Sequence, residues 1–280
     1  MELSKMMSDG DFAKLRAVVY SQTGISIGDG RRSMLVSRLR PRLRELGLAN
    51  YEDYLARVER DPAERQKLTD RVTTNETYFY RTPRVWTYFN DVVVPQFAAR
   101  STGQPLRVWS AAASTGEEAH TAGVFLEGAR SRGGADYAIL GTDISSRVIE
   151  VATAGEYRGR PVARFQQEQP ELFRRHMVGS DDKGWSVAPQ IKSRIRFRNH
   201  NLLKPLTGTG QFDVIFLRNV LIYFKAEDQQ RILQHIRSKL HPEGTLFIGE
   251  SETLKHIDTD FAQVEPIIYR PTLRTGDAIS

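Results

Sequence analysis

The sequence predicts an α/β chain in which a small all-α domain precedes a mostly parallel sheet domain that carries an inserted β element. Three observations carry this expectation. Before residue 100, apolar residues recur at helical spacing and no strand-like alternation appears. After it, short apolar runs alternate with helical stretches. Between Gly155 and Asn201 that alternation breaks.

In the helical part, Phe12, Leu15, Val18 and Val19 recur at helical spacing, and Gly24 stands where a helix commonly stops. Asn50 is expected to cap a helix that carries Tyr54, Leu55 and Val58 on one face and Asp53 in its first turn. Pro62, after Asp61, should open another. This domain is placed at residues 1–80, with a linker helix at 81–100.

The second domain is placed at 101–280. Strands are expected at 106–111, at 137–142 ending on Asp143, at 212–217 and at 244–249. Helices follow the second through Val148, Ile149 and Val151, and run from Arg231 to Leu240. Strands alternating with helices imply a parallel sheet covered on both faces. Ile267, Ile268 and Tyr269 are expected as an antiparallel edge. The insertion is expected at about 158–198: a helix from Phe165 to Met177, a turn over Gly179 to Gly184 between short strands, and a closing strand from Ile195 to Asn199.

Apolar residues make up 40% of the 280 and charged residues 26%, ordinary for a globular chain. No apolar run approaches the roughly 18–20 residues that span a bilayer. Met1 to Lys5 precede no apolar signal core, so export is not expected. The absence of cysteine excludes disulfides and thiolate sites and fits a cytoplasmic location. The net charge of +6 is unevenly placed. Arg31 to Arg44 contains six arginines and no acid, and Arg158 to Arg198 contains ten basic residues against four acidic ones. Such runs either face a negative partner or are solvated surfaces.

Four stretches carry chemistry. The first strand leads into Ala112-Ala113-Ser114-Thr115-Gly116, a loop whose small side chains let a ligand approach. It holds no G-x-G-x-x-G fingerprint and no Walker lysine. Glu117 and Glu118 open the next helix where a phosphate would otherwise sit. They suit a cationic, phosphate-free ligand such as S-adenosylmethionine, and equally they favour the helix dipole. Asp143 could hold ribose hydroxyls or cap the helix that follows. Arg218 and Asn219 directly follow a buried strand, and Tyr223 either lines the same cleft or packs with Phe224. Thr73 to Arg81 joins small hydrogen-bonding residues, aromatics and an arginine able to grip a carboxylate with two prongs.

The stretches Thr73–Arg81, Arg107–Glu118, Thr142-Asp143-Ile144 and Arg218–Phe224 resemble, in order and spacing, the CheR family of chemotaxis receptor glutamate methyltransferases. The resemblance runs from about residue 11 to 270. It implies a Rossmann-like S-adenosylmethionine methyltransferase domain with an inserted small antiparallel β-subdomain, preceded by a small all-α domain. By the same resemblance Asn75, Thr77 and Arg81 contact the methionine part of the cofactor, with Glu117 in that region. Asp143 meets the ribose, Asn201 and Leu202 the adenine surroundings; Arg218 and Asn219 line the cleft, and Tyr223 stands beside the reacting methyl. Two departures are Tyr80, where the family often has phenylalanine, and Ala119-His120, where it commonly has Pro-Tyr.

A glutamate with a pKa of about 4.3 is already an anion at neutral pH, so no general base is needed. Neither a catalytic histidine, a carboxylate dyad nor a metal is expected; Arg81 and Tyr223 are the candidates for orienting the reacting groups. The expected product is S-adenosylhomocysteine. Arg31, Arg38 and Arg42 fall on one helical face beside Leu35, Leu39 and Leu43, and would meet the acidic cytoplasmic helical domain of methyl-accepting receptors. Pro41 should kink or restart that helix. A monomer without nucleic acid or membrane insertion is expected. Some family members also hold a receptor peptide on the β-subdomain by strand addition. Three rivals are a nucleic-acid methyltransferase, a non-catalytic module of the same fold and a nicotinamide dehydrogenase. The first lacks its Asn/Asp-Pro-Pro-aromatic element at Arg218 to Leu221, and the last its glycine fingerprint.

Overall fold

A computed structural model describes residues 7–100 and 103–272; the opening Met1 to Lys5 lies outside them. Helix α1 (Asp9–Thr23) opens with a capping box between Ser8 and Asp11 and stops at Gly24, whose φ is +75°. A Cβ at Gly24 would also lie 2.3 Å from Leu203 Cδ1, so the stop lets the helical domain approach the sheet domain. Helix α2 (Arg32–Glu45) runs through Pro41 without the expected restart. Pro41 supplies no helical donor, yet Leu35, Leu39 and Leu43 are all buried on one face, and that packing holds the turn. Asn50 caps α3 (Tyr51–Arg60), and Asp61 caps α4 (Pro62–Val72). The four helices close over a core that includes Phe12, Leu15, Val19, Tyr54, Val58 and Leu68.

Helix α5 (Pro83–Tyr88), a π-helical turn (Phe89–Val93) and α6 (Val94–Ala99) fill the segment expected as a linker. It is no spacer. Trp86 and Phe89 pack on Phe216, with ring centroids 5.3 and 5.6 Å away, so burial ties this segment into the core of the sheet domain.

The strands are β1 (Leu106–Ser110), β2 (Tyr137–Asp143), β3 (Glu156–Tyr157), β4 (Met177–Ser180) and β5 (Gly184–Val187). They continue with β6 (Ile195–Asn199), β7 (Phe212–Leu217), β8 (Leu240–Ile248), β9 (Phe261–Glu265) and β10 (Ile268–Pro271). Seven form one sheet in the order β6-β2-β1-β7-β8-β10-β9. The first five of that order pair in parallel, and β10 is antiparallel to both its neighbours. The tail strand is therefore not the edge: β9, which sequence periodicity missed, lies outside it, with four of its five residues exposed.

Helices α7 (Glu117–Arg130), α8 (Ser146–Ala154) and α12 (Ala226–Lys239) cross between strands. The insertion holds α9 (Arg160–Glu168), α10 (Pro170–His176) and α11 (Pro189–Lys192). The single helix expected from Phe165 to Met177 is split because the residue before a proline is driven out of the helical region; Gln169 has φ −134° and ψ 58°. The small antiparallel sheet has the order β3-β5-β4. It begins at Glu156 and ends at Val187, whereas Ile195–Asn199 pairs in parallel with β2 and belongs to the main sheet. Among the described residues no helix is long and apolar enough to cross a membrane.

Candidate active site

Strand order reverses between β1 and β7, and a ligand crevice is expected outside the carboxyl ends of strands at such a point. A cavity of about 520 Å³ lies there. The sheet side includes Ala111, Ala112, Ser114, Asp143, Arg218 and Asn219; the helical domain contributes Thr23, Ile25, Ile27, Arg31 and Met34; the segment from Thr73 to Tyr78, with Arg81, forms a further wall.

The loop after β1 is shaped by two residues in the left-handed region, Ser114 (φ +49°) and Gly116 (φ +95°). A Cβ at Gly116 would lie 2.8 Å from Ala152 Cβ and 3.0 Å from the Tyr157 hydroxyl, so only glycine lets the loop pack on α8 and β3. The Ser114 N–H donates to Asp143 Oδ2 at 2.9 Å and the Ser145 N–H to Oδ1 at 3.0 Å. Ser145, not Asp143, is the N-cap residue of α8. Asp143 thus faces the cavity as a tie between two loops. A carboxylate has about four lone-pair sites, more than these two N–H groups occupy, which leaves room for a ligand's hydroxyl. Burial raises the Asp143 pKa, opposed by the backbone N–H groups of Ser145, Ser114 and Ile144.

Glu117 does not line the cavity. Its carboxylate accepts from the Thr115 hydroxyl at 2.6 Å, and the residue is 2% exposed. Glu118, which the sequence offered beside Glu117, is the one that lines the cavity. Successive helical residues point about 100° apart, and the packing of α7 turns the second glutamate, not the first, toward the cleft. Glu118 accepts from Ser110 Oγ at 2.8 Å and from Arg218 Nη1 at 3.0 Å. Burial raises its pKa, opposed first by Arg218.

Arg218 is a brace as well as a lining residue, because its Nη2 also donates to the Arg81 carbonyl at 3.0 Å. Arg81 lines the cavity, with Nη1 donating to the Glu76 carbonyl at 3.1 Å and its guanidinium 5.6 Å from the Tyr78 ring centre. Asn75 and Thr77 lie on the same wall, where the Asn75 carbonyl accepts from Ser114 Oγ at 2.9 Å. Asn201 and Leu202 line the far end. Asn201 Nδ2 donates to the Gln22 carbonyl at 3.0 Å, across the domain seam. Tyr223 lines the cavity, and its carbonyl accepts from the Ser26 N–H at 2.8 Å.

The three arginines expected at the partner surface divide. Arg31 is exposed at the cavity. Arg38 Nη1 donates to the carbonyls of Val72 and Thr73, at 2.6 and 3.0 Å, and Nη2 to the Thr74 hydroxyl at 3.1 Å. Arg42 Nε donates at 2.9 Å to Glu64, which is 1% exposed. Arg38 and Arg42 share a helix face as expected, but that face turns inward on α4. The helical spacing gave the face; only packing decides which way it points.

His120 is buried. The Tyr157 hydroxyl donates to the Thr115 carbonyl at 2.8 Å, so it must accept from His120 Nδ1–H, 2.7 Å away. Burial pushes His120 down to about 3, so the ring is neutral. Among the described residues no group of three or more His, Asp or Glu could hold a metal ion. The cavity wall carries the carboxylates Glu76, Glu118 and Asp143 and no lysine, and its buried cation, Arg218, is paired. That chemistry fits an adenosine that bears an ammonium and a sulfonium and no phosphate, which is S-adenosylmethionine.

Residues 75–269 match the S-adenosylmethionine-binding domain of CheR methyltransferases, and residues 10–73 match the all-alpha domain of the same family. A chemotaxis protein methyltransferase of Pseudomonas putida is 33% identical over 267 residues, which cover 92% of this chain and 96% of that protein. One from Pseudomonas aeruginosa is 33% identical over 94% of this chain and 98% of its own length. The Escherichia coli chemotaxis protein methyltransferase is 33% identical over 94% and 91%. The protein therefore belongs to the CheR family and is an S-adenosylmethionine-dependent methyltransferase.

Proposed function

We propose that the protein esterifies glutamate side chains in the cytoplasmic helical domain of chemotaxis receptors, and that it acts as a cytoplasmic monomer. What supports this reading most is that Arg81 and Tyr223 line the same cavity as Asp143 and Glu118. Groups suited to an incoming carboxylate thus share one chamber with groups suited to a cationic adenosine. Asp143 would hold the ribose, Asn201 and Leu202 the adenine end, and Asn75, Thr77, Arg81 and Glu118 the amino-acid end. Asn219 would complete the wall. Bound S-adenosylmethionine supplies an electrophilic methyl on a sulfonium, which a carboxylate can accept to give a methyl ester and S-adenosylhomocysteine.

The chain's own contribution is to position and to exclude water. Arg81 offers N–H donors to the entering carboxylate, and the half-buried Tyr223 closes over the reacting atoms. No side chain has to take a proton. Arg31 at the cavity, with exposed Arg44 and partly exposed Arg40 on the outer side of α2, would steer an acidic receptor helix. Each exposed ion pair is worth about 0.2–1 kcal/mol, so the gain is in encounter rate and orientation.

The test is transfer of a labelled methyl to receptor cytoplasmic fragments, with alkali-labile methanol release as the signature of an ester. Arg81→Ala and Asp143→Ala should each abolish transfer. Undiminished transfer in both would overturn the site assignment, and alkali-stable label would overturn the ester.

A further inference from the structure

Glu252 follows β8 at the same end of the sheet, outside the cavity lining, and is 8% exposed. Its carboxylate has no cation within ion-pairing distance among the described residues. Instead it collects backbone donors from two loops. Oε2 accepts from the N–H of Asn219 at 2.8 Å and from that of Gly249, and Oε1 accepts from the N–H groups of Val220 and Leu221, each at 2.8 Å. The first of these donors, Asn219, has φ +57°, a left-handed region that asparagine enters more readily than most residues but that still breaks the strand sharply. A Cβ at Gly249 would lie 2.6 Å from both Asn219 Nδ2 and Glu252 Oε2.

The clamped turn is the one that carries the chemistry. Arg218, Asn219, Val220, Ile222 and Tyr223 all face the cavity, and no other side chain among the described residues bonds the N–H groups of 219 to 221. We propose that Glu252 is a positioning residue for methyl transfer: it fixes the left-handed Asn219 turn, and through that turn the place of Tyr223. This rests on the functional reading above only for the reaction that is measured. The clamp itself is a statement about the turn. Four donors on one carboxylate cannot be matched by an amide, because the Gln NH₂ presents hydrogens where two of the N–H groups already point.

The experiment compares wild type, Glu252→Gln, Glu252→Asp and, as a stability control in the helical domain, Leu68→Ala. Amide hydrogen exchange at Asn219, Val220 and Leu221 should accelerate at least about tenfold in Glu252→Gln and stay at the wild-type rate in Leu68→Ala. With receptor fragments, kcat at a temperature well below each melting point should fall at least about tenfold in Glu252→Gln, with the receptor KM within about threefold. Glu252→Asp, which keeps both oxygens on a shorter stem, should recover part of the loss. A structural role alone would lower the melting point of Glu252→Gln and leave kcat at wild-type level, which overturns the proposal. Unchanged exchange at the three amides overturns it whether or not any receptor is methylated. A wild-type protein that binds S-adenosylhomocysteine but methylates no receptor fragment defeats the functional reading instead, and the exchange rates then decide for the clamp.

Discussion

Glu118 and Arg218 meet at 3.0 Å between the first turn of α7 and the end of β7, with side chains 11% and 2% exposed. Removing one partner of a buried pair strands the other charge, at a cost of about 3–5 kcal/mol. Glu118→Ala should therefore release Arg218 from the Arg81 carbonyl and weaken S-adenosylhomocysteine binding by more than about tenfold, about 1.4 kcal/mol per decade. Glu117→Gln, which alters a group turned away from the cavity, should change it much less. Calorimetry separates them: equal losses would return Glu117 to the ligand.

Arg42 and Glu64 set up a second contrast. Arg42→Ala leaves a buried carboxylate unpaired and should lower unfolding stability by about 3–5 kcal/mol, read from urea denaturation. The charge reversal Arg40→Glu with Arg44→Glu should leave that midpoint unchanged, yet slow receptor turnover and flatten its salt dependence. If the reversal has no effect on turnover, the outer side of α2 has no part in docking.

Asp143→Ala strands the N–H groups of Ser114 and Ser145, each at about 1–3 kcal/mol if left without water. Loop and ligand site should fail together. S-adenosylhomocysteine affinity should drop below detection while far-UV dichroism keeps the folded signal. Binding within threefold of wild type would remove Asp143 from the ribose.

His120 makes stability depend on pH in a stated direction. Burial holds its folded pKa at about 3, below the ordinary histidine value of 6.5. Below pH 6.5 the unfolded chain takes up a proton that the native ring refuses, so this contribution is present above 6.5 and is lost as pH falls toward 3. The slope approaches about 1.4 kcal/mol per pH unit for one such group. His200, which burial pushes down to about 4, adds with the same sign. Urea midpoints measured from pH 7.5 to 5 should fall, and His120→Gln should remove about one proton's worth of the slope. An unaltered slope would mean that the native ring takes up its proton as readily as the unfolded one.

Much of this was legible before any coordinates. The helix stop at Gly24, the cap at Asn50 and the start at Pro62 depend on local chemistry, so the residues alone announce them. So do the strands that lead to Ala112 and Asp143. What stayed hidden was rotation and partnership. Nothing in Glu117-Glu118 says which carboxylate faces the cleft, and nothing in Arg31 to Arg44 says that Arg38 and Arg42 turn inward, because helix packing decides both. Ile195–Asn199 reads as a strand, but its assignment to the main sheet rests on pairing with β2, 52 or more residues earlier. Glu252 gave no signal at all, since its partners are backbone atoms.

The bonds from Ser26 to Tyr223 and from Asn201 to Gln22 stitch the helical domain onto the methyl-transfer chamber. A truncated version that starts at residue 75 would keep every strand and most of the cavity-lining residues of the sheet domain, yet its chamber would become an open trough. Chimeras that graft another relative's helical portion onto this sheet must therefore carry a matching rim, because both domains contribute to one cavity wall and neither side can be exchanged alone.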